Sequence, residues 1–144
     1  MIREYKETDA DAIVAAWRAA NELAHPFLSK AFLDKEADNV RNVYPQFATI
    51  WVTEIDGQVV GLIAMIDNEI GGLFLLPDYH GKGLGREMVD FVQEKKGKLT
   101  VEVFRDNKIG RRFYDAYGFK KTGEYLHEHS GQMTLKMAFD PKVG

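Results

Sequence analysis

The most constraining feature of the sequence is a glycine-rich segment, HGKGLG at residues 80–85, which lies between a strand-like and a helix-like stretch. Residues 70–76, IGGLFLL, are continuously apolar, as is typical of a strand buried on both faces. Apolar residues recur at helical spacing over 84–92, and residues 99–104, LTVEVF, predict another strand. Strand, loop, helix and strand over about thirty residues predict one right-handed crossover between parallel strands.

The remaining segments predict an α+β fold with a mixed, mostly antiparallel central sheet. Asp56-Gly57 lies between two stretches rich in β-branched residues, which is a strong signal for a two-residue hairpin. A helix is predicted from Thr8, with Asp11 completing a capping box, to the His25-Pro26 pair. The other predicted strands are Ile2–Tyr5, Thr49–Ile55, Gln58–Asp67, Lys120–His127 and Gln132–Phe139, and the other predicted helices cover 29–47 and 109–117.

Length and composition limit the classes of protein to which the chain can belong. The 144 residues suit a single domain, 1–144, because two domains would each be small for a stable core. The absence of cysteine excludes disulfides, thiolate nucleophiles and Cys-ligated metal sites. The net charge of −3 argues against a nucleic-acid partner and suits a cationic one. No apolar run reaches the ~20 residues of a membrane span and no signal peptide is evident, so we expect a cytoplasmic protein with no membrane partner.

The glycine-rich segment is suited to holding a phosphate group. Glycine lets the backbone turn sharply and approach a ligand closely, and the first amides of a helix favour negative charge. A P-loop is excluded because Lys82 is followed by Gly83 rather than by Ser or Thr. A dinucleotide-binding fold is the weaker hypothesis, because Arg86 stands where its third glycine belongs and only about forty residues remain after the next strand. A tight turn without a ligand is the other alternative.

Two motifs in the second half of the chain carry a family resemblance. The segment HGKGLG matches the pattern [QR]-x-x-G-x-G/A, with His80 in place of Gln or Arg. Asn107 and the segment FYDAYGF at 113–119 match an Asn…FYxxxGF element. With these motifs the chain resembles the GNAT family of acyl-CoA-dependent N-acetyltransferases over nearly its whole length, most densely over residues 69–119.

The resemblance implies the GNAT fold, with acetyl-CoA as cosubstrate and no metal. It implies that backbone amides of residues 81–86 hold the pyrophosphate of coenzyme A, and that main-chain groups of residues 73–75 pair with the pantetheine and the acetyl carbonyl. Asn107 would hydrogen-bond the cofactor or order the following helix, and a phosphate contact from His80 stays open. The implied cofactor-binding residues are therefore Leu73, Phe74, Leu75, His80, Gly81, Lys82, Gly83, Leu84, Gly85, Arg86, Asn107 and Tyr114.

Acetyl transfer to an amine needs a proton acceptor, because an ammonium with a pKa of ~10 is almost wholly protonated at pH 7. Glu102 and Glu69 are the candidates, and Glu102 stands narrowly ahead because a carboxylate within the strand LTVEVF is costly to bury without a function. A chain of water molecules could replace either residue, and each could be a solvated charge at a strand edge. By resemblance Tyr114 is the general acid that protonates the thiolate; without that context it is typical of an aromatic residue at an interface.

Two further groups of residues leave alternatives open. His25 precedes a segment in which the resemblance implies acceptor-binding elements, but a histidine before proline is more typical of a helix terminator or cap than of a ligand. His127 with His129 is not interpreted as a metal site because a third ligand is lacking. Arg111 and Arg112 either reach the nucleotide 3′-phosphate or cover an exposed helix face.

The predicted function is direct transfer of an acetyl group in a ternary complex to a primary amine of a small molecule, peptide or protein. The alternative is a catalytically silent module of the same fold that binds an acyl-CoA or a partner. The sequence does not choose among lysine, a protein N-terminus, a polyamine and an aminoglycoside as acceptor. It also does not choose between a monomer and a homodimer.

Overall fold

Seven strands form one mixed sheet in the computed structural model of the protein, which describes residues 1–142. The strands are β1 (Ile2–Glu4), β2 (Thr49–Ile55), β3 (Gln58–Ile66), β4 (Glu69–Leu75), β5 (Leu99–Phe104), β6 (Lys120–His127) and β7 (Gln132–Phe139). Their spatial order is β1-β2-β3-β4-β5-β7-β6. Every neighbouring pair is antiparallel except β4 and β5, which are parallel, so the predicted α+β fold with one parallel crossover is confirmed.

Four helices cover the sheet from its two faces. They are α1 (Ala10–Ala24), α2 (Lys30–Asn42), α3 (Leu84–Lys96) and α4 (Lys108–Tyr117). One core cluster joins Ile13 and Leu33 of α1 and α2 to Leu62 of β3. The other joins Met88 of α3 and Tyr114 of α4 to the opposite face of the sheet. Within residues 1–142 no helix is both long and apolar enough to cross a membrane.

The start of α1 differs from its prediction. Thr8 and Asp11 do not form the capping box; a 3-10 turn covers Glu7–Asp9, and α1 begins at Ala10. The backbone amide of Lys6 donates to Asp9 Oδ2 at 2.8 Å, and Asp9 also pairs with the Arg3 guanidinium at 2.9 Å. The turn therefore forms around a carboxylate that an arginine of β1 holds, a contact that local sequence does not reveal.

The second predicted helix is also shorter than expected. Ser29 caps α2 by accepting a hydrogen bond from the Phe32 amide at 3.1 Å, but the helix ends at Asn42 rather than at residue 47. A separate 3-10 turn, Tyr44–Gln46, follows because Pro45 cannot supply the amide that would continue the helix.

The expectation that the apolar segment at 70–76 is buried on both faces is wrong. In β4 only Ile70 and Leu75 are buried, Gly71 is exposed and residues 72–74 are half-buried. The physical reason is that β4 pairs with β5 only at Glu69 and Ile70, and the β3 register shifts at Gly71, which has no partner. A bulge of this kind bends a strand. Beyond it β4 and β5 lie apart, and the apolar side chains line a cleft.

The face of β5, β7 and β6 on the α1 and α2 side carries polar residues. Val101 and Val103 of β5 are buried on the opposite face, so Glu102 lies on this one. It pairs across the ladder with Lys136 of β7, and both are exposed. Tyr125 of β6 lies on the same face, because its hydroxyl bonds to Glu102. We call this surface the polar sheet face.

Candidate active site

The loop between β4 and α3 presents a row of unpaired backbone amides. Gly81 and Gly83 have φ values of +75° and +83°, a region that favours glycine, and Gly83 is the N-cap of α3. Within residues 1–142 none of the amides of residues 81–86 has a hydrogen-bond partner, whereas the amide of Glu87 donates to the Gly83 carbonyl at 3.0 Å. Free amides at a helix N-terminus form an anion-binding site.

The side chain of His80 is engaged inside the protein. Its Nε2 lies 3.0 Å from the carbonyl oxygen of Leu75, and because a carbonyl can only accept, His80 donates this hydrogen bond. The contact ties the glycine loop to the end of β4. The His80 side chain therefore supports the loop, and the amides of residues 81–86 stay unpaired within the described chain.

A first cavity of about 560 Å³ opens between the end of β4, the glycine loop and α4, and we call it the loop cavity. Arg86 and Arg112 line it, and no Asp or Glu of residues 1–142 does. The Arg86 guanidinium lies over the Tyr117 ring, 5.3 Å from its centroid. Arg111 does not line the cavity, because it donates to the carbonyl of Arg105 at 3.0 Å. The cavity thus combines an apolar wall with positive charge.

A second cavity of about 660 Å³ lies between α2, the β3–β4 hairpin and the polar sheet face, and we call it the sheet cavity. Its charge is opposite to that of the loop cavity. Glu36, Glu69 and Glu102 line it, and no Lys or Arg of the described chain does. The sheet cavity therefore favours a cationic ligand.

The two cavities meet at a common set of residues, which we call the junction. The junction residues are His25, Leu73, Phe74, Asn107 and Tyr114. The ring of Phe74 packs edge-on against Trp17 of α1, with centroids 6.5 Å apart. It also lies over Gly72, where an added Cβ would come within 2.5 Å of it. Two ligands bound in the two cavities would therefore come into contact at the junction, next to these side chains.

Tyr114 on α4 is the most buried of the aromatic groups at the junction. Its side chain is 7% exposed, and burial raises the pKa of its hydroxyl, which therefore stays protonated. The hydroxyl has no hydrogen-bond partner among residues 1–142. The Tyr114 oxygen still has some exposure to solvent. Among these residues, His25 Nε2 is the only side-chain polar atom that is both fully buried and without a hydrogen-bond partner. Tyr114 thus presents a free O–H donor to the junction.

Glu69 and Glu102 lie on the same face of neighbouring strands. Glu69 is opposite Thr100, in the first of the two residue pairs that join β4 to β5, and Glu102 is two residues further along β5. Burial, with a further contribution from the charge of Glu102, raises the pKa of the Glu69 carboxyl, while Lys136 opposes the shift. The Tyr125 hydroxyl donates a short hydrogen bond to Glu102. The structure therefore brings both predicted carboxylates together and gives only Glu102 a hydroxyl partner.

Asn107 acts on the helix that follows it. It is the N-cap of α4, and its Oδ1 accepts a hydrogen bond from the Gly110 amide at 2.8 Å. A Cβ at Gly110 would lie 2.6 Å from Asn107 Nδ2, so the cap requires glycine at that position. The structure shows the ordering of the helix, which is one of the two roles that the resemblance left open. The cap positions Tyr114 on the next turns of α4.

His25 ends α1, as predicted, but it also lies at the junction. Its amide donates to the Asn21 carbonyl at 2.8 Å, and its Nδ1 lies 2.7 Å from Asn21 Oδ1. Because Asn21 Nδ2 donates to the Trp17 carbonyl, Oδ1 must accept, and the proton of the neutral ring lies on Nδ1. Burial lowers the pKa of His25 to about 4, so the ring is neutral at pH 7.

Two residues of the sheet cavity were missed by sequence reasoning. Glu36 lies on the inner side of α2, where its Oε2 accepts a hydrogen bond from the Tyr44 hydroxyl at 2.8 Å. Tyr125 belongs to β6, at one edge of the sheet. Both positions look like ordinary members of their elements, and only a family alignment or the pairing of β6 with β7 could have indicated them. Within residues 1–142 no group of three or more metal-ligating side chains is present around His127 or elsewhere.

Comparison with known proteins gives the same picture from sequence and from structure. A family model described as the acetyltransferase (GNAT) domain matches residues 46–121. The chain is 32% identical over 123 residues to the peptidyl-lysine N-acetyltransferase YjaB of Escherichia coli, a match covering 85% of this chain and 83% of that protein. It is 29% identical over 120 residues to the peptidyl-lysine N-acetyltransferase YiaC of Escherichia coli, covering 83% and 82%.

Two solved structures share the fold. The solution structure of apo YjaB from Escherichia coli matches with a TM-score of 0.87 and 28% identity, covering 96% of each chain. The crystal structure of PaiA N-acetyltransferase from Thermoplasma acidophilum, in complex with coenzyme A, matches with a TM-score of 0.74 and 20% identity. That match covers 97% of this chain and 98% of the other.

Proposed function

Because the chain belongs to the GNAT family of acetyltransferases, we propose that it moves an acetyl group from acetyl-CoA to a lysine side chain of a protein or peptide. It is an acetyl-CoA-dependent N-acetyltransferase by family. The lysine acceptor is supported by the two relatives named as peptidyl-lysine N-acetyltransferases and by the three glutamates of the sheet cavity. The single observation that carries the proposal is the meeting of a positively charged and a negatively charged cavity at Phe74 and Tyr114.

We assign the loop cavity to coenzyme A. The free amides of residues 81–86 and the positive end of α3 suit a pyrophosphate. Arg86 adds positive charge to the same cavity, and we assign Arg112 to the nucleotide 3′-phosphate. The edge of β4 at Leu73–Leu75 has no strand partner on the β5 side, so its main-chain groups are available to the pantetheine amides and to the acetyl carbonyl. A backbone N–H there would stabilise the oxyanion of the tetrahedral intermediate.

We assign the role of base to Glu69 rather than to Glu102. A general base works best when its pKa lies near the working pH, and burial moves the pKa of Glu69 in that direction. Glu102 already accepts the hydroxyl of Tyr125, which engages one of its oxygens. Its charge contributes to raising the pKa of Glu69, so in this assignment Glu102 tunes the base. The proton moves from the ammonium to the Glu69 carboxylate, directly or through a water molecule, before the amine attacks.

Tyr114 is assigned the role of general acid. As the carbon–sulfur bond breaks, the thiolate takes the Tyr114 proton. The nitrogen, now bonded to the acetyl carbon, loses its extra proton to solvent, and solvent at the junction returns a proton to the Tyr114 oxygen. The high pKa of Tyr114 and the absence of a competing hydrogen-bond partner within the described chain keep this proton on the hydroxyl until it is needed. The assignment is supported by the position of Tyr114 in the lining of both cavities, since in this proposal the leaving sulfur lies where the two cavities meet.

The same arrangement supports direct transfer as part of the proposal. The donor and acceptor cavities open on different sides of the junction, so both substrates can be bound at once, and the chain has no cysteine to carry an acyl group. We therefore expect initial-velocity plots that intersect. Parallel lines would indicate an acyl-enzyme and contradict this part of the proposal.

The proposal is tested by incubating the protein with acetyl-CoA and a panel of lysine peptides, N-terminal peptides, polyamines and aminoglycosides. We expect mass spectrometry to show a single acetyl group on the lysine ε-nitrogen and thiol titration to show matching release of coenzyme A. Acetylation of polyamines or aminoglycosides alone would overturn the lysine assignment. Binding of coenzyme A by calorimetry without turnover of any amine would instead support a silent binding module.

A further inference from the structure

The mouth of the sheet cavity carries apolar side chains where solvent would favour polar ones. Phe47, in the connection between α2 and β2, is 57% exposed, and Ile66, at the end of β3, is 40% exposed. Both line the sheet cavity together with Tyr44. Single exposed apolar residues are common on protein surfaces, but these flank one opening. We call Tyr44, Phe47 and Ile66 the apolar rim.

The apolar rim is held in place on the α2 side. The rings of Phe47 and Tyr44 pack edge to face, with centroids 5.9 Å apart. The Tyr44 hydroxyl donates to Glu36 Oε2 at 2.8 Å, which fixes the Tyr44 ring against α2. Phe47 therefore packs on a ring that is itself anchored. A pre-positioned aromatic surface loses less conformational entropy on binding than a mobile one.

On the β4 side, the apolar rim lies next to the proposed base. Ile66 pairs with Glu69 across the β3–β4 hairpin. Its Cδ1 lies 3.5 Å from the position that a Cβ on Gly71 would take, so the Ile66 side chain extends over the bulge in β4. An ammonium entering past Glu69 therefore carries its neighbouring groups over Ile66.

We propose that the acceptor is a lysine with an apolar neighbour in the peptide, and that this neighbouring side chain packs on Phe47 and Ile66 of the apolar rim. The inference rests on the proposed function, since it presumes a peptide lysine. Charge selects the lysine, because the cavity lining holds Glu36, Glu69 and Glu102 and, within the described chain, no Lys or Arg. A free polyamine would satisfy these carboxylates but would leave the apolar rim in water.

The test compares two capped peptides that differ only in the residues on either side of one lysine, which are leucine in one and serine in the other. The readout is the ratio of their kcat/KM values, since a ratio cancels changes in folding or in the chemical step. For the unmodified protein we expect the leucine peptide to be preferred by roughly tenfold, mainly through KM, because burying a leucine side chain supplies binding energy of that size.

Three variants locate the preference on the surface. Phe47→Ser and Ile66→Ser should each bring the ratio towards one. Leu126→Ser is the matched control, since Leu126 is 55% exposed on β6 but lines neither cavity, and the ratio should be unchanged. A ratio near one for the unmodified protein, or a preference that survives both rim substitutions, overturns the inference and leaves lysine acetylation standing. Failure to acetylate either peptide overturns the lysine acceptor itself.

Discussion

The loop cavity and the sheet cavity meet at the same residues but use different parts of the polypeptide. The loop cavity offers main-chain amides of residues 81–86, whose direction is set by glycines at positive φ. The sheet cavity offers side chains, with the carboxylates of Glu69 and Glu102 on adjacent strands and an apolar rim at the mouth. Main-chain binding depends on local backbone conformation, whereas side-chain binding depends on which strands the fold brings together. The loop cavity is thus suited to one ligand that is always the same, and the sheet cavity is suited to ligands that differ in chemical structure.

The junction between the two cavities should be the most sensitive point. Tyr114→Phe removes the only atom that the proposed acid uses, and we expect kcat to fall roughly a hundredfold, the lower end of the range for general acid catalysis. The Kd of coenzyme A should not change. The melting temperature should not fall, because the hydroxyl has no hydrogen-bond partner within the described chain. An unchanged kcat would remove Tyr114 from the mechanism.

A second prediction separates the two carboxylates of the sheet cavity. Glu69→Gln should lower kcat/KM roughly tenfold or more, with Glu102 and solvent limiting the loss. Glu102→Gln should instead shift the acid limb of the pH profile. The charge of Glu102 raises the pKa of Glu69, so removing it lowers that pKa, and activity should persist to lower pH. A shift to higher pH, or a larger loss in Glu102→Gln than in Glu69→Gln, would reverse the assignment.

The main-chain character of the loop cavity gives a third prediction. Gly83→Val places a β-branched residue at a φ of +83°, and the backbone must move to relieve the strain, which displaces the free amides. We expect the Kd of coenzyme A, measured by calorimetry, to rise about tenfold.

Gly57 supplies the control for this substitution. Its φ is +79°, it lies in the β2–β3 hairpin, and, as at Gly83, nothing lies within 4 Å of an added Cβ. Both substitutions should therefore lower the free energy of unfolding by a similar amount, about 1–2 kcal/mol. Gly57→Val should do so without affecting coenzyme A binding. Equal effects of the two variants on the Kd would show that the loop has no special role.

The smallest expected effect concerns the side chains of the loop cavity. Arg112 lines the cavity, whereas Arg111 donates to the Arg105 carbonyl. Arg112→Gln should therefore raise the Kd of coenzyme A by about threefold, as expected for the loss of an exposed charge pair. Arg111→Gln should leave this Kd unchanged. Dephospho-coenzyme A lacks the 3′-phosphate and should bind both variants and the unmodified protein alike. An equal loss with both ligands would place Arg112 near a different part of the cofactor.

Local patterns were sufficient for most of the fold. The hairpin at Asp56-Gly57, the crossover through α3 and the two C-terminal strands follow from turn chemistry and hydrophobic period, which act over a few residues. The α1 start was missed because Asp9 is held by Arg3 of a strand that is separate from the helix. The burial of β4 was mispredicted because the divergence from β5 depends on a bulge at Gly71, and a continuous apolar run looks the same in a closed sheet and in an open one.

The amino-acid sequence by itself determined the row of unpaired amides in the glycine loop, since positive-φ glycines and a helix start leave amides unpaired wherever they occur. Tyr114 was indicated only by the resemblance of Asn107 and the FYDAYGF segment to a GNAT motif, since its helical position alone is equally typical of an aromatic residue at an interface. Only the tertiary structure decided which carboxylate is tuned, since the pKa of Glu69 depends on burial and on a charge on another strand. It also decided that Phe47 and Ile66 flank one opening. Such properties depend on distances between segments remote in sequence, which the packing of the whole sheet sets.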